Sequence, residues 1–329
     1  MRIIYLCPNS NLPTGGIRVI YRHSEMLAQN GFESAVFHPY DPEFSCTWFE
    51  HNVNLCKSAL YDKSSDLIVI PEAWAEKFGQ QCIDSGLHFA IFVQNGYYIH
   101  PHADSTDFTG GHLRDIYAAA DFILSISDDS TAAIRLAYPQ VSKEKILRLI
   151  PNVDEAFIGE IDWSKKEKII TYMPRKLSGH ASLVKFYLSP YLPEDWSILP
   201  IENVSGSELV SLLARSSIFL SFSDLEGFGM PPLEAAFSGN LVVGYTGQGG
   251  KEYFLSPIFQ PISNGDFKHF VEAVNLALVA VSEGISSLPS IRNQLASLRS
   301  FYFKENELNY LLQFANKVQI LMSNNTGAE

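Results

Sequence analysis

Cysteine is scarce in this chain. There are four, Cys7, Cys46, Cys56 and Cys82, all in the first quarter, and no two form a Cys-x-x-Cys pair. A disulfide framework and a cysteine zinc site are therefore not expected, and a reducing, cytoplasmic setting is. No window holds the roughly 18 apolar residues that cross a bilayer. The opening MRIIYLCP has one basic residue and too short an apolar run for a signal peptide, and it reads as a first buried strand. Positive charge is short as well: 24 Lys and Arg face 36 Asp and Glu, a net charge of −12. Nucleic acid and anionic lipid repel such a chain on average, although a local basic patch can override the average. Internal repeats, low-complexity stretches and a Gly-x-Gly-x-x-Gly dinucleotide fingerprint are all missing.

What is present is a globular balance, 46% apolar and 18% charged, over 329 residues. That length suits two domains better than one core. Short apolar runs at 3–6, 34–38, 67–70, 89–93, 122–126 and 146–150 read as strands apolar on both faces, as parallel strands covered by helices should be. Between the first two, 16–30 places Ile17, Ile20, Tyr21, Ser24, Leu27 and Ala28 on one stripe and stops at Gly31. This is the alternation of a doubly wound α/β sheet.

The pattern restarts after a polar stretch at 162–168. Strands are expected at 169–173, 197–199, 218–222 and 241–244, and Ser205 with Glu208 forms a capping box before a helix at 209–215. The crossing between domains falls within 151–168. A last helical pattern, 305–322, has no strand after it and is free to return to the first domain.

Two segments carry chemistry. NSNLPTGG at 9–16 follows the first strand and opens a helix; Gly15 and Gly16 let backbone approach a ligand, and the helix start favours an anion. An ordinary strand-to-helix turn would look the same. SFSDLEGFGMPPLE at 221–234 is more informative. Pro231 and Pro232 sit where a helix begins. Glu226 lies in the loop and Glu234 one turn into the helix, seven residues between them, so both can face a ligand at the C-terminal edge of the sheet. Carboxylates there suit sugar and ribose hydroxyls. Helix capping alone would account for Glu234 but not for Glu226.

EGFGMPPLEAAFSGNLVVGYTGQGGKEYF resembles the signature of retaining glycosyltransferases of the GT-B fold, family 4 type, with Gly249, Gly250 and Glu252 in its last element. There is one residue fewer before that glutamate than the family has. The glycine loop at 15–16 and IPNVD at 150–154 agree with it in order. The resemblance implies an α/β fold of two Rossmann-like doubly wound domains facing a central cleft. These are an acceptor-side domain, 1–155, completed by a C-terminal helix at 305–329, and a nucleotide-sugar-binding domain, 156–304. It implies transfer of a sugar from a nucleotide diphosphate donor to an acceptor hydroxyl with retention, and no metal; Asp128-Asp129 is not the Asp-x-Asp of metal-dependent transferases. It places Glu234 on the donor ribose, and Glu226 with Gly227, Phe228, Gly229 and Met230 at the transferred sugar. Arg175 and Lys176 then hold the diphosphate, and Gly15 and Gly16 count among the donor-binding residues. The family separates the two cations, whereas here they are adjacent. The family's histidine after a central strand is replaced by Gln94 and Asn95 in FVQNG, with His100 and His102 following as substitutes.

Rival readings remain at this stage: a sugar-nucleotide epimerase or phosphorylase on the same fold, or a binding module that has lost catalysis. The acceptor is open: a glycan, a lipid-linked glycan, a small molecule or a modified nucleic-acid base. The base acceptor would need Lys143, Lys145, Arg148, Lys165, Lys166 and Lys168 to converge. A membrane acceptor would favour a basic amphipathic helix, and 16–30 offers only Arg18 and Arg22.

Overall fold

A computed structural model of the chain describes residues 1–101, 109–284 and 288–326. The chain divides into two compact units, Met1–Pro151 with Glu305–Glu329, and Asn152–Lys304.

The first unit is built on a seven-stranded sheet whose neighbouring strands all pair parallel. The strands are β1 (Arg2–Leu6), β2 (Glu33–Phe37), β3 (Leu55–Cys56), β4 (Asp66–Pro71), β5 (His88–Val93), β6 (Phe122–Ser125) and β7 (Ile146–Arg148). Their order is β3-β2-β1-β4-β5-β6-β7, so the direction of winding reverses between β1 and β4. Alternation along β1 sends Ile3 and Tyr5 to one core and Ile4 and Leu6 to the other. Both faces are thus covered, which is why the strands read as unbroken apolar runs.

On the face of Ile3 and Tyr5 lie α1 (Gly15–Gln29) and the long C-terminal α10 (Lys304–Thr326). α1 ends in a Schellman turn: Phe32 N–H donates to Leu27 and Gly31 N–H to Ala28, with Gly31 at φ 85°. α10 brings Leu311, Phe314, Ala315, Val318 and Met322 into that core. Its first turn is tied to α1 by Glu307, 1% exposed, which accepts from Arg22 at 2.8 Å and His23 at 3.2 Å. Burial would push the Glu307 carboxyl up, but the two partners outweigh it and hold it below its ordinary range.

The second unit has a five-stranded parallel sheet, order β12-β11-β10-β8-β9. Its strands are β8 (Ile169–Tyr172), β9 (Ser197–Pro200), β10 (Ile218–Glu226), β11 (Leu241–Gln248) and β12 (Phe259–Pro261). Among the described residues, five α-helices belong to it: α5 (Ser178–Leu188), α6 (Gly206–Arg215), α7 (Met230–Phe237), α8 (Phe267–Ser282) and α9 (Pro289–Phe301). The others, α2 (Gln80–Ser85), α3 (Gly111–Ala119) and α4 (Asp128–Ala137), lie in the first unit. The Ser205–Glu208 capping box is present in full at the head of α6. Phe222 and Phe270 stack at 5.1 Å, with Tyr245 edge-on to both, so α8 is locked on the sheet by aromatic packing.

Two expectations need correction here. Glu226 is not a loop residue: β10 continues beside β11 through an irregularity after Ser223, and Glu226 is the last residue of the strand, opposite Gln248. The cations proposed as a basic patch are largely engaged locally. Lys166 is turned inward and donates to the carbonyls of Leu213, Ser216 and Ser238 at 3.2, 2.7 and 2.5 Å, closing the ends of α6 and α7. Burial presses its ammonium down to about 7. Lys165 pairs with Asp162, Lys168 with Asp195, and Lys145 with the carbonyls of Ala118 and Ala120. No helix among the described residues is long and apolar enough to cross a membrane.

Candidate functional site

In the second unit the winding reverses between β8 and β10: the chain leaves β8 through α5 toward β9 on one side, and β10 pairs with β8 on the other. Ligands of open α/β sheets bind outside the strand ends at such a point. Arg175 and Lys176 follow β8 directly, and Glu226 ends β10. The three line one hollow of about 30 Å³ with Met173 and Pro231. Adjacency in sequence therefore does not send one cation away.

Lys176 Nζ forms an ion pair with Glu226 Oε1. Burial, and then the charge of Arg175, press the Lys176 ammonium down to about 8, against the pull of Asp224. Arg175 is exposed, and its guanidinium has no ion-pair partner among the described residues. The turn that presents both is tight: Leu177, the cap of α5, sits at φ 45°, ψ 47°, a left-handed conformation that side-chain-bearing residues seldom adopt.

Gly227, Phe228 and Gly229 form the turn from β10 to α7. Gly229 caps the helix at φ 83°, a value glycine adopts without strain. A second glycine loop is pressed against this turn: a Cβ at Gly249 would meet the carbonyl of Gly227. Tyr253, fully buried, donates its hydroxyl to the carbonyl of Gly229 and approaches that of Phe228 at 3.4 Å. Phe228 is buried between Tyr253 and Tyr302, at 5.3 and 5.4 Å. Glu252 accepts from the Tyr302 hydroxyl at 3.2 Å, so that glutamate supports the loop from behind. Met230 and Glu234 are half-buried on the first turns of α7. Burial raises the Tyr253 phenol, with smaller contributions from Tyr302, Glu252 and, last, the nearby charge of Glu234.

In the first unit the loops after β1, β4 and β5 meet at the equivalent reversal. A Cβ at Gly16 would collide with the side-chain oxygen of Gln94, so glycine is what lets these loops touch; Gly15 has open space around it. Asn95 folds an Asx turn, accepting from Tyr97 N–H at 2.9 Å. His100 is exposed, with its Nδ1 2.7 Å from the Pro101 carbonyl. His102 lies outside the described residues.

Sequence reasoning passed over Glu72, which follows β4 and is buried beneath this loop. It accepts from Asn95 N–H at 2.9 Å. Burial pushes its carboxyl up to about 7, opposed by the N–H groups of Gln94, Glu72 and Asn95. The available signal was its place, an acid directly after a strand buried on both faces, at the edge where ligand groups collect. Tyr253 had no such signal. No cluster of three or more His, Cys, Asp or Glu suited to a metal occurs among the described residues.

No protein-family profile matches the chain. A curated alpha-1,6-glucosyltransferase of Actinobacillus pleuropneumoniae serotype 7 (strain AP76) is 27% identical over 131 residues, 38% of this chain and 39% of that protein. The match thus spans about two fifths of the curated relative. Solved structures extend the likeness over almost the full length. Sucrose-phosphate synthase from Thermosynechococcus elongatus superposes with a TM-score of 0.70 over 98% of this chain and 99% of its own, at 14% identity. Anabaena HepE in complex with UDP gives 0.67 over 97% and 100%, at 13% identity. S. aureus TarM gives 0.55 over 76% and 56%, at 14% identity. The two parallel α/β units of this chain therefore have the architecture of the GT-B glycosyltransferase fold.

Proposed function

We propose that the chain is a glycosyltransferase that moves a hexose or pentose from a nucleotide diphosphate to an acceptor hydroxyl, with retention at the anomeric carbon. The observation that carries this is the convergence of Arg175, Lys176 and Glu226 at the winding reversal of a parallel sheet, beside a glycine turn that opens α7. Two adjacent cations suit a diphosphate, Arg by its fork and Lys as a point charge. The GT-B likeness and the partial match to a glucosyltransferase support the same reading.

In this reading the donor diphosphate takes the place of Glu226 on Lys176. Glu226 is then released to accept from hydroxyls of the transferred sugar, whose ring lies against Gly227, Phe228, Gly229 and Met230. Glu234, one turn into α7, accepts from the ribose. The bond from the anomeric carbon to the diphosphate breaks, and one from that carbon to the acceptor oxygen forms. The acceptor proton passes to the leaving diphosphate. Arg175 and Lys176 stabilise the charge that develops there, and this charge is met by side chains without a metal. Gly15, Gly16, Gln94, Asn95 and His100 belong to the acceptor-side unit.

The test is a thermal-shift screen of nucleotide sugars followed by product analysis. A true donor raises the melting temperature by mass action. It also yields free nucleoside diphosphate only as acceptor is consumed, and the yield is unchanged by EDTA. Stabilisation by no nucleotide sugar contradicts the proposal.

A further inference from the structure

A cavity of about 580 Å³ lies outside the ends of β10, β11 and β12. It shares no lining residue with the Arg175–Lys176–Glu226 hollow except Ser223, and the end of β10 stands between them. Its size falls in the range of small-ligand sites, roughly 300–1,000 Å³.

The chemistry of the walls is specific. Gln248, Asn264 and Ser263 line it, and among the described residues none of the three side chains has a protein hydrogen-bond partner. Amides and hydroxyls both donate and accept, so they match a ligand that does the same. Asp224 and Lys251 also line it, one charge of each sign, so the two charges of the lining balance, as suits an uncharged ligand. Phe254, buried, and Pro261 add an apolar surface against which the C–H face of a ring can lie.

A second observation is conformational. Gln248 sits at φ 70°, ψ −62°, a strained three-residue turn that non-glycine residues rarely adopt. It is fixed there from both sides: its strand partner is Glu226, and its own N–H donates to Thr246 Oγ1 at 3.3 Å. Gln248 is half-buried and lines the cavity from this turn, while the next residue, Gly249, packs on Gly227.

We infer that this cavity is a saccharide subsite of the second unit, taking an uncharged, polyhydroxylated ring. As a subsite of the transferase it rests on the sugar-transfer reading above; as a saccharide site it stands without it. It lies on the same sheet edge as the donor groups, so one loop pair, 226–229 and 248–250, borders both.

The test is saturation-transfer NMR on the full chain with the methyl glycosides of glucose, galactose, mannose and N-acetylglucosamine, and UDP titrated separately into the same samples. Two substitutions of one exposed residue fill or strip the cavity, Asn264→Trp and Asn264→Ala. At least one glycoside binds the wild type, and both variants weaken it by about tenfold or more through lost hydrogen bonds. UDP affinity stays within about twofold in both, which also reports that they are folded. Absence of binding by every glycoside overturns the inference, as does binding that Asn264→Trp leaves unchanged. Glycoside binding without UDP binding keeps the subsite and overturns the donor reading instead.

Discussion

Lys176 and Glu226 form an ion pair from the ends of two different strands, β8 and β10, at the point where the sheet reverses its winding. The pair occupies the position where the account puts a diphosphate, and the Lys176 ammonium sits at about 8. It is charged below that value and loses its charge as pH rises through it. Nucleotide-sugar affinity should therefore fall as pH rises through about 8, and Lys176→Ala should abolish that limb while lowering turnover by about 10²-fold or more. A pH series of calorimetric titrations on both proteins checks it; an identical profile in Lys176→Ala contradicts it.

Tyr253 should matter without touching a ligand. Its hydroxyl donates to the Gly229 carbonyl inside a fully buried site. Tyr253→Phe removes that bond and should cost about 1 kcal/mol of stability. Urea unfolding measures the loss. A loosened glycine turn should also raise the KM for donor, while Tyr245→Phe, whose hydroxyl meets Gly265 N–H at 3.2 Å away from that turn, should not.

Glu72 makes the stability of the first unit depend on pH in a set direction. Its carboxyl is raised from 4.5 to about 7 by burial. The native state thus holds a proton that the unfolded chain releases. The stability this contributes is fully present below pH 4.5 and is lost as pH rises to about 7. Denaturation at pH 5 and pH 7.5 should show the loss in the wild type and a smaller one in Glu72→Gln, which keeps the shape and cannot titrate. Equal losses in the two proteins would contradict the assignment.

Much of this was legible in the sequence, for identifiable reasons. Runs such as 67–70 and 89–93 are buried on both faces, so composition alone marks them as strands. Ser205 and Glu208 cap α6 through purely local hydrogen bonds, and local patterns are what a sequence displays. β3 and β12 were missed because Leu55–Cys56 and Phe259–Pro261 are edge strands of two and three residues, too short to show a period. The end of β10 was misread because Asp224-Leu225-Glu226-Gly227 looks like a loop, and its pairing with β11 is made by residues 22 positions later. At Lys166 the sequence shows a charge, but not the three carbonyls that meet it from two helices. The pressing of Gly249 on Gly227, and of Gly16 on Gln94, likewise depends on contacts that only the fold supplies.

The most direct measurement is isothermal titration of the full chain with UDP-glucose, GDP-mannose and the other common nucleotide sugars, repeated on Glu234→Ala. Glu234 stands one turn into α7, where the account puts the ribose. At least one nucleotide sugar should bind the wild type, and Glu234→Ala should weaken it by about 1–3 kcal/mol through loss of a charged acceptor. Failure of every nucleotide sugar to bind, or an affinity that Glu234→Ala leaves unchanged, would contradict the account.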